Sequence, residues 1–216
     1  MLDAFDETGA RHLGTFWMLR LDQPLAIGPA PRVRTVFTRA GPEVVQELAR
    51  TMEFDDPTAI LQRFTRGCHG YIARIEGKLA AYGWVTFDEE SIGELGLSIR
   101  LKTGDAYIWD CATLPAYRGQ RLYPALLAHI LSELQSSGLR RAWIGADTDN
   151  LSSQAGMALA GFSPAVDVIM TRVLTIRRLW VRGRPGVPEQ VVADVRQALF
   201  GKRDQAWLDA LQQAKQ

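Results

Sequence analysis

From residue 32 onward the apolar positions switch between two spacings. Runs with apolar or β-branched residues at every second position give way to runs with apolar residues three and four apart, the pattern of a mixed sheet with helices laid on its faces. Residues 33–39 (VRTVFTR) predict a strand, and 41–52 (GPEVVQELARTM) a helix with Pro42 and Glu43 in its first turn. Residues 56–67 repeat that logic, with Asp56 as N-cap, Pro57 at the first helical position and Gly67 past the end. Two strands, 69–75 and 79–87, are joined by a hairpin turn at Glu76-Gly77-Lys78.

A polar, glycine-bearing connection, 88–104, leads to an aromatic and apolar run at 106–114 (AYIWDCATL) that predicts a buried central strand with one acid inside it. The next helix carries Leu122, Leu126, Leu127, Ile130, Leu131 and Leu134 on one face and ends at Ser136-Ser137-Gly138. A strand at 140–146 follows, then a helix capped by Asn150 and stopped at Gly161 with Pro164 beyond, then one long final strand at 166–176. No internal repeat or low-complexity tract interrupts this order.

The ends differ from the middle. Residues 1–31 form an N-terminal extension, with one strand at GTFWMLRL and a Pro/Gly linker at 22–31. Residues 32–180 form the main domain, and 181–216 a helical C-terminal extension of two amphipathic pieces broken at Gly201. Leu199, Phe200, Trp207 and Leu211 are its candidate packing residues. Both ends are expected to pack on the main domain or on a second copy of the chain, which makes a homodimer through the terminal segments an open expectation.

Charge narrows the function. With 25 basic and 24 acidic residues the net charge is +1, so no global field favours nucleic acid or an anionic membrane surface, and any anion site is local. Two cysteines, Cys68 and Cys111, are too few for a disulfide framework, and neither they nor His12, His69 and His129 have metal-site spacing. The acidic N-terminal residues lack the form of a signal peptide, and no stretch approaches the roughly 20 apolar residues of a membrane span. A soluble, cytoplasmic protein without metal is expected.

One local site stands out in ATLPAYRGQRLYPALL, residues 112–127. A strand that passes through an Arg-Gly turn into a helix brings free backbone N–H groups and the positive end of a helix dipole to one small volume. Gly119 lets backbone approach a ligand, Arg118 and Arg121 add full charges, and Pro124, having no N–H to give, belongs in the first helical turn. On physical grounds alone this is a phosphate or pyrophosphate cradle.

The motif and the element order, from about Val33 to Leu174, resemble the GNAT superfamily of acetyl-CoA-dependent N-acyltransferases. There a strand ending in Val-Pro leads into an R/Q-x-x-G-x-G/A loop whose helix holds the coenzyme A pyrophosphate. Here Leu114-Pro115 stands for Val-Pro and Arg118 for the first motif residue. A second signature, an Asn after the next strand and a helix closing in Gly-Phe, is matched by Asn150, Ser153 and Gly161-Phe162. The resemblance implies an α/β (α+β) fold with a mixed, mostly antiparallel central sheet and helices on both faces. It also implies acetyl transfer from acetyl-CoA to an amine, small-molecule or peptide, by direct attack. The implied coenzyme A contacts are Arg118, Gly119, Gln120, Arg121, Leu122 and Tyr123 in the loop, the amides of Ala112, Thr113 and Leu114 along the arm, and Asn150 and Ser153.

The chain departs from the pattern in two places. The fourth and sixth motif positions, usually Gly and Gly or Ala, are Arg121 and Tyr123. Met157 stands where many members carry a tyrosine suited to protonating the departing thiolate, and a thioether donates no proton. A coenzyme A-like thiol has a pKa of about 8.5, so its loss without full protonation is slowed rather than forbidden.

An amine with a pKa of about 10.4 is protonated at neutral pH and must lose its proton to attack. Asp110, within the strand before the loop, takes the place of the acid that faces the acceptor in several members and is the candidate base, with a structural carboxylate as the alternative. Glu89, Glu90 and Glu94 are rivals. Cys111 has no histidine nearby in sequence to activate it, which favours core packing over an acyl-cysteine route. Tyr107 and Tyr123 are further sources of a hydroxyl. Asp55 and Asp56 with Glu89 and Glu90 give a mixed signal on the acceptor: they either favour a cationic amine or are plain surface charges. A GNAT-like domain that binds acyl-CoA as a sensor without efficient turnover is the competing function.

Overall fold

The computed structural model of the chain describes residues 10–93, 97–173 and 176–213. Its centre is an eight-stranded sheet built from β1 (Ala10–Arg20), β2 (Val36–Ala40), β3 (His69–Ile75), β4 (Lys78–Thr86), β7 (Asp105–Thr113), β8 (Arg141–Asp147), β9 (Ser163–Val173) and β10 (Ile176–Gly183). The order across the sheet is β10-β9-β1-β8-β7-β4-β3-β2, and β7 with β8 is its parallel pair. The other neighbouring pairs run antiparallel. A separate hairpin of β5 (Glu89–Ile92) and β6 (Leu97–Arg100) stands beside it.

Among the described residues five α-helices cover the sheet: α1 (Val45–Thr51), α2 (Thr58–Thr65), α3 (Leu122–Ser136), α4 (Leu151–Leu159) and α5 (Glu189–Gln213). Successive strand residues point to opposite faces, and the core divides accordingly. Ala81, Val85 and Ile108 pack with Leu126, Leu127 and Ile130 of α3 and Met157 of α4. Their neighbours Tyr82 and Trp84 pack with Leu48 of α1 and Ile60 of α2, and Tyr107 packs with Val192, Val195 and Leu199 of α5. One face of the sheet therefore carries α3 and α4, and the other α1, α2 and α5.

Three expectations change. The connection at 88–104 folds into the β5–β6 hairpin, whose four-residue strands with single buried positions at Glu90 and Ile99 are too short for the alternation to register. The long final strand is a hairpin, β9 with β10, in which Val173 pairs with Ile176. The strand at 10–20 lies inside the sheet between β8 and β9. It fits there because Gly14 faces Asp147, and a Cβ at Gly14 would come 2.7 Å from the Ala146 carbonyl oxygen.

The linker that follows β1 is tied to α3 by Gln135, whose Nε2 donates to Leu21 O at 2.8 Å and Gln23 O at 2.7 Å. At the C-terminus the break falls at Gly201 (φ 69°, ψ −169°) inside α5. Leu199 is buried and Phe200 packs beside it, while the side chains of Trp207 and Leu211 lie outside the described residues. No helix among the described residues is long and apolar enough to cross a membrane.

Candidate active site

The parallel strands β7 and β8 pair from Asp105 opposite Arg141 to Ile108 opposite Ile144, and beyond that point they line the two sides of a cavity of about 430 Å³. The cause lies on the other edge of β7. Tyr82 faces Ala112 and Trp84 faces Trp109, so Gly83 opposes both Asp110 and Cys111. This is a β-bulge, and a bulged strand bends away from its neighbour. Asp110 takes the extra residue's conformation with a left-handed φ of 45°, uncommon away from glycine. The site also needs Gly83, because a Cβ there would lie 2.7 Å from the Cys111 sulfur.

The bulge sends its two side chains to opposite faces. Asp110 turns toward α2, where its Oδ2 accepts a hydrogen bond from Arg63 Nη1 at 2.6 Å. The Arg63 guanidinium lies 4.5 Å from the Trp109 ring centre, 5.0 Å from that of Trp84 and 5.5 Å from that of Phe54. Burial first, and then the Asp110 charge, push the nearby Tyr82 phenol up to about 12, so it remains protonated. Cys111 turns toward α3. Its thiol donates to the Trp109 carbonyl at 3.5 Å, and burial followed by the Asp110 charge push it up to about 12. A thiol so raised packs rather than attacks, as its sequence context suggested.

The rival acids are occupied elsewhere. Glu89 is held below the usual carboxylate range by a hydrogen bond from Arg100, and the buried Glu90 accepts from Arg66 Nη2 at 2.9 Å. The β5–β6 hairpin instead gives the cavity Ser91, Ile92 and Gly93. Glu94 lies outside the described residues. Asp56 Oδ1 accepts from the Thr58 N–H at 2.8 Å just before α2, whose N-cap residue is Pro57 rather than Asp56.

On the α3 side the loop takes the expected form with one surprise. Gly119 (φ 78°) and Arg121 (φ 58°) are both left-handed, and Arg121 is the N-cap residue of α3. Arginine thus occupies backbone space that glycine would fill without cost. Arg32 holds the loop's carbonyls from behind, its N–H donating to Gln120 O at 2.9 Å and its Nη1 to Gly119 O at 3.0 Å. The amide side is thereby turned outward, with the first-turn N–H groups of Leu122 and Tyr123 beside it. Arg118 and Arg121 are exposed at its rim, while the Leu122 side chain is buried.

Of the three amides expected along the arm, that of Leu114 is spent, donating to Ala80 O of β4 at 2.9 Å. Strand N–H groups alternate between edges, so the Ala112 amide, two residues earlier, faces β4 as well and the Thr113 amide faces the cavity side. The Thr113 hydroxyl is buried without a hydrogen-bond partner among the described residues. Asn150 and Ser153 line the cavity, and Asn150 Oδ1 accepts from Ser153 N at 3.1 Å, the N-cap its sequence position implied. Met157 lines it too and is 1% exposed.

The Tyr123 ring packs against α4, where a Cβ at Gly156 would come 2.3 Å from it. Sequence reasoning missed four contributors: Arg63, Arg32, the β1 residues Gly14 to Phe16, and Asp147, which faces the cavity from the end of β8. Arg63 left one trace, a charge on a short amphipathic helix otherwise marked by Ile60 and Phe64.

The acetyltransferase (GNAT) family model matches residues 32–162. No curated protein matches the chain. Among solved structures, a GCN5-related N-acetyltransferase from Sphaerobacter thermophilus aligns at a TM-score of 0.54 and 14% identity, covering 85% of this chain and 56% of its own. An acetyltransferase of the GNAT family from Colwellia psychrerythraea aligns at 0.53 and 18%, covering 74% and 55%. A GNAT-family protein from Novosphingobium aromaticivorans aligns at 0.52 and 18%, covering 74% and 65%. The chain therefore spans between half and two thirds of these relatives' length, and at such identities the likeness shows the fold. The family model, matching well over half of the residues, shows the kinship: the chain belongs to the GNAT acetyltransferase family.

Proposed function

We propose that the protein moves an acetyl group from acetyl-CoA to an amine, on a small molecule or a peptide, by direct transfer. The observation that carries this reading is one cavity lined by Tyr123, Asn150 and Ser153 beside the amide-rich loop and, across the gap between β7 and β8, by Asp110. The amides at 119–122 with Arg118 and Arg121 bind the coenzyme A phosphates. The arm follows the edge of β7 left unpaired beyond Ile108, where the Thr113 N–H meets its amide groups.

The thioester then lies at the bulge, with the amine approaching from the Asp110 side. The Asp110 carboxylate attracts the ammonium form and accepts its proton, directly or through a water. The nitrogen attacks the carbonyl carbon, the C–N bond forms and the C–S bond breaks. The protein works in the cytoplasm, where Cys68 and Cys111 remain the free thiols they are here. With residues 10–20 held inside the sheet, a homodimer would use the exposed edge of β10 and α5, which light scattering on the purified chain decides.

The test is release of coenzyme A thiol from acetyl-CoA across a panel of amines, with Asp110→Asn as control. Turnover with at least one amine, strongly reduced in D110N, is expected. Saturable acetyl-CoA binding without turnover would favour the sensor reading, and no binding at all would sink both.

A further inference from the structure

Resting on the acyl-transfer reading above, we propose that the acceptor is a small amine with an apolar, uncharged body, and that Gly145 sets how wide that body can be. The cavity between β7 and β8 reaches both faces of the sheet, and its two halves are lined differently. On the α3 face stand Tyr123, Asn150, Ser153 and Met157, the half that takes the thioester end of acetyl-CoA.

The other half is one side of the α5 core. Phe16, Tyr107 and Val168 belong to the apolar cluster built against α5, Ile92 and Trp109 pack on it, and all five line the cavity. The Phe16 and Tyr107 rings lie 6.1 Å apart, centre to centre, at 52°. Asp110 borders this half, because its carboxylate turns away from α3 toward Arg63 of α2.

Gly145 is the gap in this wall. Side chains alternate along a strand, so position 145 faces the same way as Trp143, a member of the α5 core, and it pairs with Phe16 of β1. A Cβ there would lie 3.4 Å from the Tyr107 hydroxyl oxygen and 3.7 Å from the Phe16 ring, both ordinary contact distances. Its φ is not left-handed either. The fold thus has room for alanine at 145, and glycine leaves that room to a ligand.

Charge narrows the ligand further. Among the described residues the cavity wall holds no lysine or arginine, and its acids are Asp110 and the exposed Asp147 at the end of β8. Arg63 is committed to Asp110 at 2.6 Å. An acceptor carboxylate would therefore find no cation in the wall. A second ammonium among Phe16, Tyr107 and Val168 would be desolvated without a partner, which costs far more than apolar contact returns. The space is small as well, because about 430 Å³ has to hold the thioester end and the acceptor together. A monoamine fits these conditions, with its nitrogen at the bulge beside Asp110 and its body against the α5 core.

The experiment measures coenzyme A release with pentylamine, with phenylethylamine, and with two amines of pentylamine's length that end in a second ammonium or in a carboxylate. The kcat/KM for the two apolar amines is expected to exceed that for the charged pair by roughly thirtyfold or more. Gly145→Ala is expected to lower kcat/KM for phenylethylamine by roughly ten- to a hundredfold and for pentylamine by less, with the acetyl-CoA Kd within about twofold of wild type. Ile92→Asp, at the half-exposed end of β5, is expected to shift the preference toward the diamine by roughly tenfold. A wild type that prefers either charged amine overturns the proposal, and so does an I92D variant whose preference does not move. A G145A variant that treats both apolar amines as wild type does overturns it too. So does one whose loss of activity is matched by a loss of acetyl-CoA affinity, which would put position 145 on the coenzyme side. If no amine is turned over, the acyl-transfer reading falls and this proposal with it. Turnover confined to peptides or charged amines keeps that reading and removes this proposal alone.

Discussion

Arg63 Nη1 lies 2.6 Å from Asp110 Oδ2, and its guanidinium is stacked among Phe54, Trp84 and Trp109 with the side chain only 12% exposed. One planar cation thus serves two purposes. It fills an aromatic box between α2 and the sheet, and it holds the carboxylate of a residue that sits in a left-handed conformation at a bulge.

If the pair acts as a unit, its two halves are not independent. Asp110→Asn is expected to lower kcat/KM for the amine by about 10² or more, leaving acetyl-CoA affinity unchanged. Arg63→Met leaves the carboxylate without its partner, and we expect it to cost about 1–3 kcal/mol of stability as well as activity. The double variant should lose less than the two single losses combined, by about 1 kcal/mol or more in a urea-unfolding cycle. Additive losses would mean that the contact carries no coupling. Arg63→Lys is not expected to rescue, since an ammonium cannot both stack flat and donate from the same plane.

Arg121 joins two effects that substitution can separate. A left-handed non-glycine residue costs about 1 kcal/mol, so Arg121→Gly is expected to raise Tm by about 2–4 °C. The same change removes a charge from the loop and should weaken acetyl-CoA binding in titration calorimetry. Arg121→Ala keeps the strain and loses the charge, so it should bind as weakly as R121G without the gain in Tm. Equal Tm for all three would show that the loop carries no strain at 121.

Much of this site was legible because its signals are local. Gly119, Pro124 and the Asn150 cap act through their own backbone neighbours, and their positions followed from spacing. What was not legible depends on strands and helices far apart in sequence. Nothing near residue 63 announces that it meets residue 110, and nothing in GTFWMLRL says that it enters between two strands from the other end of the chain. The arm amides show the limit clearly. Residue order nominated Ala112 to Leu114, but which N–H faces the cavity depends on pairing with β4, and that turns the amides of Ala112 and Leu114 away and leaves Thr113.

Gly83 supplies a test of the bulge. Alanine there brings its Cβ 2.7 Å from the Cys111 sulfur, so one of the two must shift. Gly83→Ala should destabilise by about 1–3 kcal/mol, the usual cost of overpacking. Pairing it with Cys111→Ala removes the obstructing sulfur and should restore most of that loss in thermal unfolding. Failure of the second change to compensate would place the cost in the backbone of β4 rather than in the sulfur contact.

At the far side of the sheet, Asp194 of α5 receives hydrogen bonds from Lys102 Nζ at 2.6 Å, Arg141 Nη1 at 2.7 Å and Gln190 Nε2 at 2.9 Å. Burial works to raise its pKa, but these donors outweigh it and hold the carboxyl at about 2. The folded value lies below the unfolded value of about 4, so the unfolded chain binds the proton first as acid is added. The stabilisation is therefore fully present above about pH 4 and is lost as pH falls toward about 2, with a magnitude of about 2 kcal/mol. Asp194→Asn should unfold at lower urea than wild type at neutral pH, and the two curves should converge between about pH 4 and 2. Since Arg141 also donates to the buried Asp105 at 2.8 and 2.9 Å, the variant keeps one carboxylate partner for that cation and should still fold. A stability difference that stays constant through the acid range would mean that α5 is held by the apolar packing of Val192, Val195 and Leu199 and not by the charge on Asp194.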